Sequence, residues 1–126
     1  MKNLANIHPG EILQEEFLIP MGISAYKLSK SIGVQQTRIS LILKGERGIT
    51  ADTAMRLSKY FGTTPEFWMD LQREYDLRKV KSEIKEIIDN IVPISDNNID
   101  KQNMKAMQKK AITEIMRLDE QAGMYD

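Results

Sequence analysis

Residues 32–47 read IGVQQTRISLILKGER. The stretch opens on an apolar residue and a glycine, passes through Gln35, Gln36, Thr37 and Arg38, and closes on Lys44-Gly45. Ile39, Ile42 and Leu43 recur at helical spacing, so a helix is expected from about Gln35 to Leu43, with Gly45 just past its end. Upstream, AYKLSKSI (25–32) forms a second short helix, with Leu28 and Ile32 one turn apart and Ser24 as N-cap. Two short helices joined by so tight a turn make a helix-turn-helix. Ser29 must be small because the second helix crosses close by. Gly33 permits the positive φ that reverses the chain in few residues. Val34 and Ile39 plug the angle between the helices.

The rest of the chain is also helical by pattern, and no alternating β-branched run or Asn-Gly turn argues for a strand. HPGEILQEEFLIP (8–20) places Pro9 and three early glutamates at a helix start, with Ile12, Leu13, Phe17 and Leu18 as its apolar stripe. Pro20 and Gly22 are expected to close it. Thr50 caps a fourth helix with Ala54, Leu57 and Phe61 on one face, ending at Gly62. Thr64-Pro65-Glu66 then starts a fifth, in which Trp68, Leu71 and Tyr75 share a face. The expected fold class is all-α: a five-helix domain over residues 1–78, followed by a helical extension over 79–126. Val80, Ile84, Ile87, Ile88 and Ile91 continue a helical period, and VPISDNNIDKQN (92–103) reads as a linker. A last amphipathic helix carries Met104, Met107, Ala111, Ile115, Leu118 and Ala122. Its methionines suit an adaptable partner surface, and packing back on a dimer is an equal alternative.

Composition excludes several classes. With 41% apolar and 29% charged residues, the 126-residue chain has the makeup of a folded globular protein, long enough for its own core. It has no cysteine, hence no disulfide frame, thiolate nucleophile or zinc–cysteine site, which fits a cytoplasmic location. The N-terminus has no secretory apolar run, and no segment has the ~20 apolar residues that cross a membrane. The single histidine, His8, precedes a proline and is expected to cap a helix or lie at the surface rather than act as a base. Glu15 and Glu16 are adjacent on a helix and cannot converge on one substrate atom. No nucleophile–base pair, phosphate-cradling loop, metal set or cofactor motif is present, so the chain is not expected to be an enzyme.

Zero net charge conceals an asymmetry: residues 1–64 carry +3 and residues 65–126 carry −3. Within 24–50, five basic side chains face Glu46 alone. A local basic surface of that kind suits a polyanion. Gln35, Gln36, Thr37, Arg38, Ser40, Leu41 and Lys44 lie on the outward side of the second helix of the pair. Glutamine can pair with adenine edges and arginine with guanine edges in the major groove, while Ser and Thr serve either. Gln35 to Arg38 with Ser40 are therefore candidate base readers, and Ser24, at the head of the preceding helix, is a further candidate DNA contact. Lys44 and Arg47, at the far end, are candidate phosphate contacts.

With those residues in view, IHPGEILQEEFLIPMGIS (7–24) and RISLILKGERGITADTAMRLSKYFGTTPEFWMDLQREYDL (38–77) resemble the XRE-type helix-turn-helix family shared with lambdoid phage repressors. Within it, the chain is more similar to the HigA-type antitoxins. The resemblance implies a lambda-repressor-like fold and a homodimer on a palindromic double-stranded operator. It further implies repression of the protein's own operon and neutralisation of a RelE-like, mRNA-cleaving toxin. Phe67, Trp68, Leu71 and Tyr75 are candidates for the dimer contact that the family places on helix five. Gln35-Gln36-Thr37 replaces the "PRN"-like turn of close relatives, so a different operator is expected. Residues 92–126 lie beyond the resemblance. The same reader also serves stand-alone repressors, the alternative the residues leave open.

Overall fold

The computed structural model describes residues 6–94 and 101–123. Among them every regular element is a helix. The chain divides into two units, Met1–Lys85 and Glu86–Asp126.

In the first unit, α1 is one helix in three parts: an α-helical turn Pro9–Ile12, a π-helical stretch Leu13–Leu18 and a last turn Ile19–Met21. The sequence places Pro20 at the end of this helix, yet the helix passes through it. Proline has no N–H, and its ring crowds the carbonyl four residues back. The wider π register relieves that crowding, with the Ile19 N–H donating to Gln14 five residues earlier. Gly22 then ends the helix. α2 (Ala25–Ile32) starts on a Ser24 cap and α3 (Gln36–Leu43) follows the turn. α4 (Ala51–Phe61) and α5 (Pro65–Glu83) start on Thr50 and Thr64, each of whose hydroxyls accepts from a backbone N–H three residues on. α3 packs on α1 and α2, and α5 on α1 and α4.

The core is what these crossings enclose. Leu13, Leu18, Leu28, Ile39, Ile42, Leu57 and Trp68 are all buried. Phe17 stacks between Phe61 and Trp68, ring centroids 5.0 and 4.9 Å away. Gly10 lets α1 touch α3: a Cβ there would fall inside the Ile42 carbonyl. No residue of α5 beyond Tyr75 is buried, so its last two turns run on outside the core.

His8 caps α1, and it is buried rather than at the surface. Its Nδ1 accepts from the Gly10 N–H at 2.8 Å, and its ring meets Tyr75 edge-on at 4.7 Å. Burial pushes the imidazole below its ordinary pKa of 6.5, against the opposing pull of Asp76 and Glu11. Protonation would also remove the capping acceptor. A depressed folded-state pKa gives stability that is full above the unfolded value and is lost as pH falls. Denaturant stability should therefore decline between about pH 7 and 5.5, and His8→Asn, a cap that does not titrate, should flatten that decline. Parallel profiles for the two proteins would reject this role.

A short α6 (Lys85–Asp89) begins at the last residue of the first unit, and the second unit holds the long α7 (Lys101–Gly123). Half of the expected 92–103 linker, residues 95–100, lies outside the described residues, and its last three residues belong to α7.

Candidate nucleic-acid interface

The turn between α2 and α3 is locked from both sides. Gly33 adopts φ +70°, the left-handed region, and the N–H groups of Gly33 and Val34 both donate to the Ser29 carbonyl. Ser29 itself is buried, its hydroxyl donating to Tyr26 O at 2.7 Å, which is why a small side chain stands there. From α4, Arg56 Nη1 donates to the Ile32 and Gly33 carbonyls at 2.8 and 3.2 Å. Its Nε is held by Asp52 at 2.7 Å.

α3 starts on Gln35, whose extended backbone forms the cap without a side-chain capping bond. Gln35, Gln36 and Thr37 are exposed, and the first turn has no acid to cover the positive end of the helix dipole. The open N–H groups and free polar side chains therefore face outward together. Lys44 and Arg47 are exposed at the other end. Gln35, Thr37, Arg38 and Arg47 line one groove with Leu41 and Arg56. Gln36 and Lys44 lie outside its lining; Ser24, exposed, accepts from the Lys27 N–H at 3.0 Å, and Ser40 is half-buried.

Two expected placements change. Arg38 is half-buried rather than outward: its Nη2 donates to Thr50 Oγ1 at 3.1 Å, and its Nε is buried without a partner. The stem thus packs between α3 and the following loop because Thr50, the cap of α4, offers an acceptor there. Trp68 cannot form a dimer face. It is 0% exposed, sealed in the protomer's own core, with Nε1 donating to Thr63 Oγ1 at 2.8 Å. Leu71 is half-buried against that core and Tyr75 against His8, while Phe67 is 36% exposed. Of the four, Phe67 keeps the most surface for a partner.

The loop after α3 is held by a residue the sequence did not single out. Gln72, buried on α5, accepts from the Ile49 N–H at 2.7 Å and donates to Asp76 at 2.9 Å. Gln72→Leu would strand a buried N–H and should cost about 1–3 kcal/mol in denaturant stability. An unchanged midpoint would show that the loop does not depend on this bond.

A family model described as Helix-turn-helix matches residues 14–68. Virulence-associated protein I of Dichelobacter nodosus is 49% identical over 89 residues, which span 71% of this chain and 82% of the relative. Antitoxin HigA-1 of Vibrio cholerae is 38% identical over 77 residues, spanning 61% of this chain and 72% of the relative. The solved structure described as Pseudomonas aeruginosa antitoxin HigA with higBA promoter matches with a TM-score of 0.67 at 43% identity. It covers 70% of this chain and 97% of that one.

The chain belongs to the HigA-type antitoxins of the helix-turn-helix family.

That family is one of DNA-binding regulators and antitoxins rather than enzymes. The all-helical class and the resemblance carried by residues 7–24 and 38–77 agree with these matches. In this HigA-type chain the turn before α3 rests on Arg56 and the loop after it on Gln72, and spacing alone marked neither. Arg56 follows Asp52 by four residues, which reads as an ordinary surface ion pair. Only the fold brings its other nitrogen to the Ile32 carbonyl. Among the described residues no acidic or histidine cluster could hold a metal ion, and no helix is long and apolar enough to cross a membrane.

Proposed function

We propose that this chain is an operator-binding antitoxin of the cytoplasm. As a homodimer it places α3 of each copy in successive major grooves of a palindromic operator, about one DNA turn or roughly 34 Å apart. It represses its own operon there and neutralises a partner toxin, an mRNA-cleaving ribonuclease of the RelE-like class. The observation that carries this reading is the exposed, side-chain-uncapped first turn of α3. Gln35, Gln36 and Thr37 project there from a turn pinned by Arg56, in a chain 43% identical to an antitoxin solved with its promoter.

Within this reading the roles divide by placement. Gln35, Gln36 and Thr37 meet base edges, and Lys44, Arg47 and Ser24 meet phosphates. Arg38, tied to Thr50, positions the helix and adds positive charge beside the backbone. Phe67, with the exposed edges of Leu71 and Tyr75, contributes to the contact between copies. The toxin surface is separate from the reader.

Co-expression with the product of the adjacent gene tests the antitoxin half. Growth rescue and co-purification are expected, and both should survive in a folded Gln36→Ala/Arg38→Ala variant that no longer holds the operator. Operator binding without any rescue would instead make the chain a stand-alone repressor. Loss of rescue in that variant would overturn the separation of the two surfaces.

A further inference from the structure

The segment beyond the reader poses a physical problem. α7 runs for 23 residues, and from Gln102 to Ala122 every side chain is exposed. Along one side lie Met104, Met107, Ala111, Ile115, Leu118 and Ala122, with Met107 64%, Ile115 61% and Leu118 53% exposed. At 100° per residue these six fall within a strip less than a quarter-turn wide, and Ile112 and Met116 extend the apolar side beyond it on one flank. A helix of this kind gains most of its stability from covering such a seam.

The charges around the seam specify what covers it. Flanking it, the first half carries Lys105 and Lys110 and no acid, while the second carries Glu114 and Asp119. A second α7 laid parallel would set Lys105 and Lys110 of one helix beside those of the other. Laid antiparallel, it sets the basic half of each helix beside the acidic half of the other.

The register agrees in detail. The pairs Met104–Ala122, Met107–Leu118 and Ala111–Ile115 are centred on Thr113 or half a residue before it. Lys105–Asp119 and Lys110–Glu114 are both centred on Ile112, one residue away. Lys110 and Glu114 share one flank of the seam, and Lys105 and Asp119 share the other. In an antiparallel pair, like flanks face each other, so both charge pairs close at the level where the apolar pairs meet. Glu114 already accepts from Arg117 within the helix, but both side chains are 55% exposed, and such surface pairs contribute little.

We propose that α7 is a self-association element that pairs antiparallel with α7 of a second copy of this chain. Met107 packs against Leu118 of that copy, and Lys105 and Lys110 meet its Asp119 and Glu114. The pairing is independent of the reader and of the contact around Phe67, and it gives the chain a second means of joining two copies.

The chain has no native cysteine, so single introduced cysteines report on it directly. Full-length Met107→Cys is mixed with differently tagged full-length Leu118→Cys and mildly oxidised. Mixed 107–118 disulfides should form at least about tenfold faster than either self-disulfide, because antiparallel pairing raises their effective concentration. They should also outpace a Thr113→Cys control on the opposite face. Adding Lys105→Glu/Lys110→Glu to the first partner should suppress the mixed product. Adding Glu114→Lys/Asp119→Lys to the second should then restore it. Dominant 107–107 and 118–118 products would overturn the orientation. Rates no greater than the control would overturn the pairing itself.

Discussion

Gly10→Ala is expected to cost about 3 kcal/mol or more in folding stability, although it adds a single methyl group. That methyl has no room, because α1 and α3 meet backbone to backbone at Gly10 and the Ile42 carbonyl. Relief requires α1 to withdraw from the last turn of α3, which also pulls His8, the cap of α1, away from Gly45. A urea titration of the variant beside the parent checks this directly. A midpoint within about 0.5 kcal/mol of the parent would mean that the close approach is not needed, a change no larger than an ordinary surface substitution gives. The consequence reaches function, since the displaced turn carries Lys44 at its end.

A second large effect is expected on DNA. Gln36→Ala/Thr37→Ala should weaken operator binding by about 3 kcal/mol, roughly two orders of magnitude, and leave binding to random DNA nearly unchanged. Both side chains are exposed on the first turn of α3, so their loss leaves the core intact. Arg38→Ala should behave differently, because its guanidinium is engaged with Thr50 rather than held outward. Its loss should weaken operator and random DNA alike. Competition titrations with both DNAs separate the two outcomes. A selective loss in Arg38→Ala, or an equal loss in the double variant, would exchange the roles assigned to them.

The parts legible in the sequence were those whose causes are local. Gly33, Ser29 and the spacing of Leu28, Ile32 and Ile39 specify the turn, because a positive φ and a close crossing leave few choices of residue. Ser24, Thr50 and Thr64 cap helices for equally local reasons. What escaped depends on residues distant in the chain. The fifth helix carries Phe67, Trp68, Leu71 and Tyr75 on more than one side, and periodicity does not say which side meets the protomer's own core. By pattern alone Trp68 fits either side, and its complete burial assigns it to the protomer's own core. Arg38 turns inward because Thr50, twelve residues on, accepts from it. Gln72 is a polar residue in the interior, explained only by the Ile49 N–H brought to it by a loop twenty-three residues earlier. In α1, the passage of the helix through Pro20 required a change of helical register that no residue pattern announces.

In the proposed function, α3 reads DNA from its exposed first turn and is held there by a basic surround. The most direct measurement is the affinity of the intact chain for its own upstream DNA as salt is raised from 50 to 200 mM. Neutralising about half a dozen phosphates should lose roughly a thousandfold in affinity over that range, with the upstream DNA preferred to random sequence throughout. Binding that is insensitive to salt, or that does not distinguish the two DNAs, would contradict it.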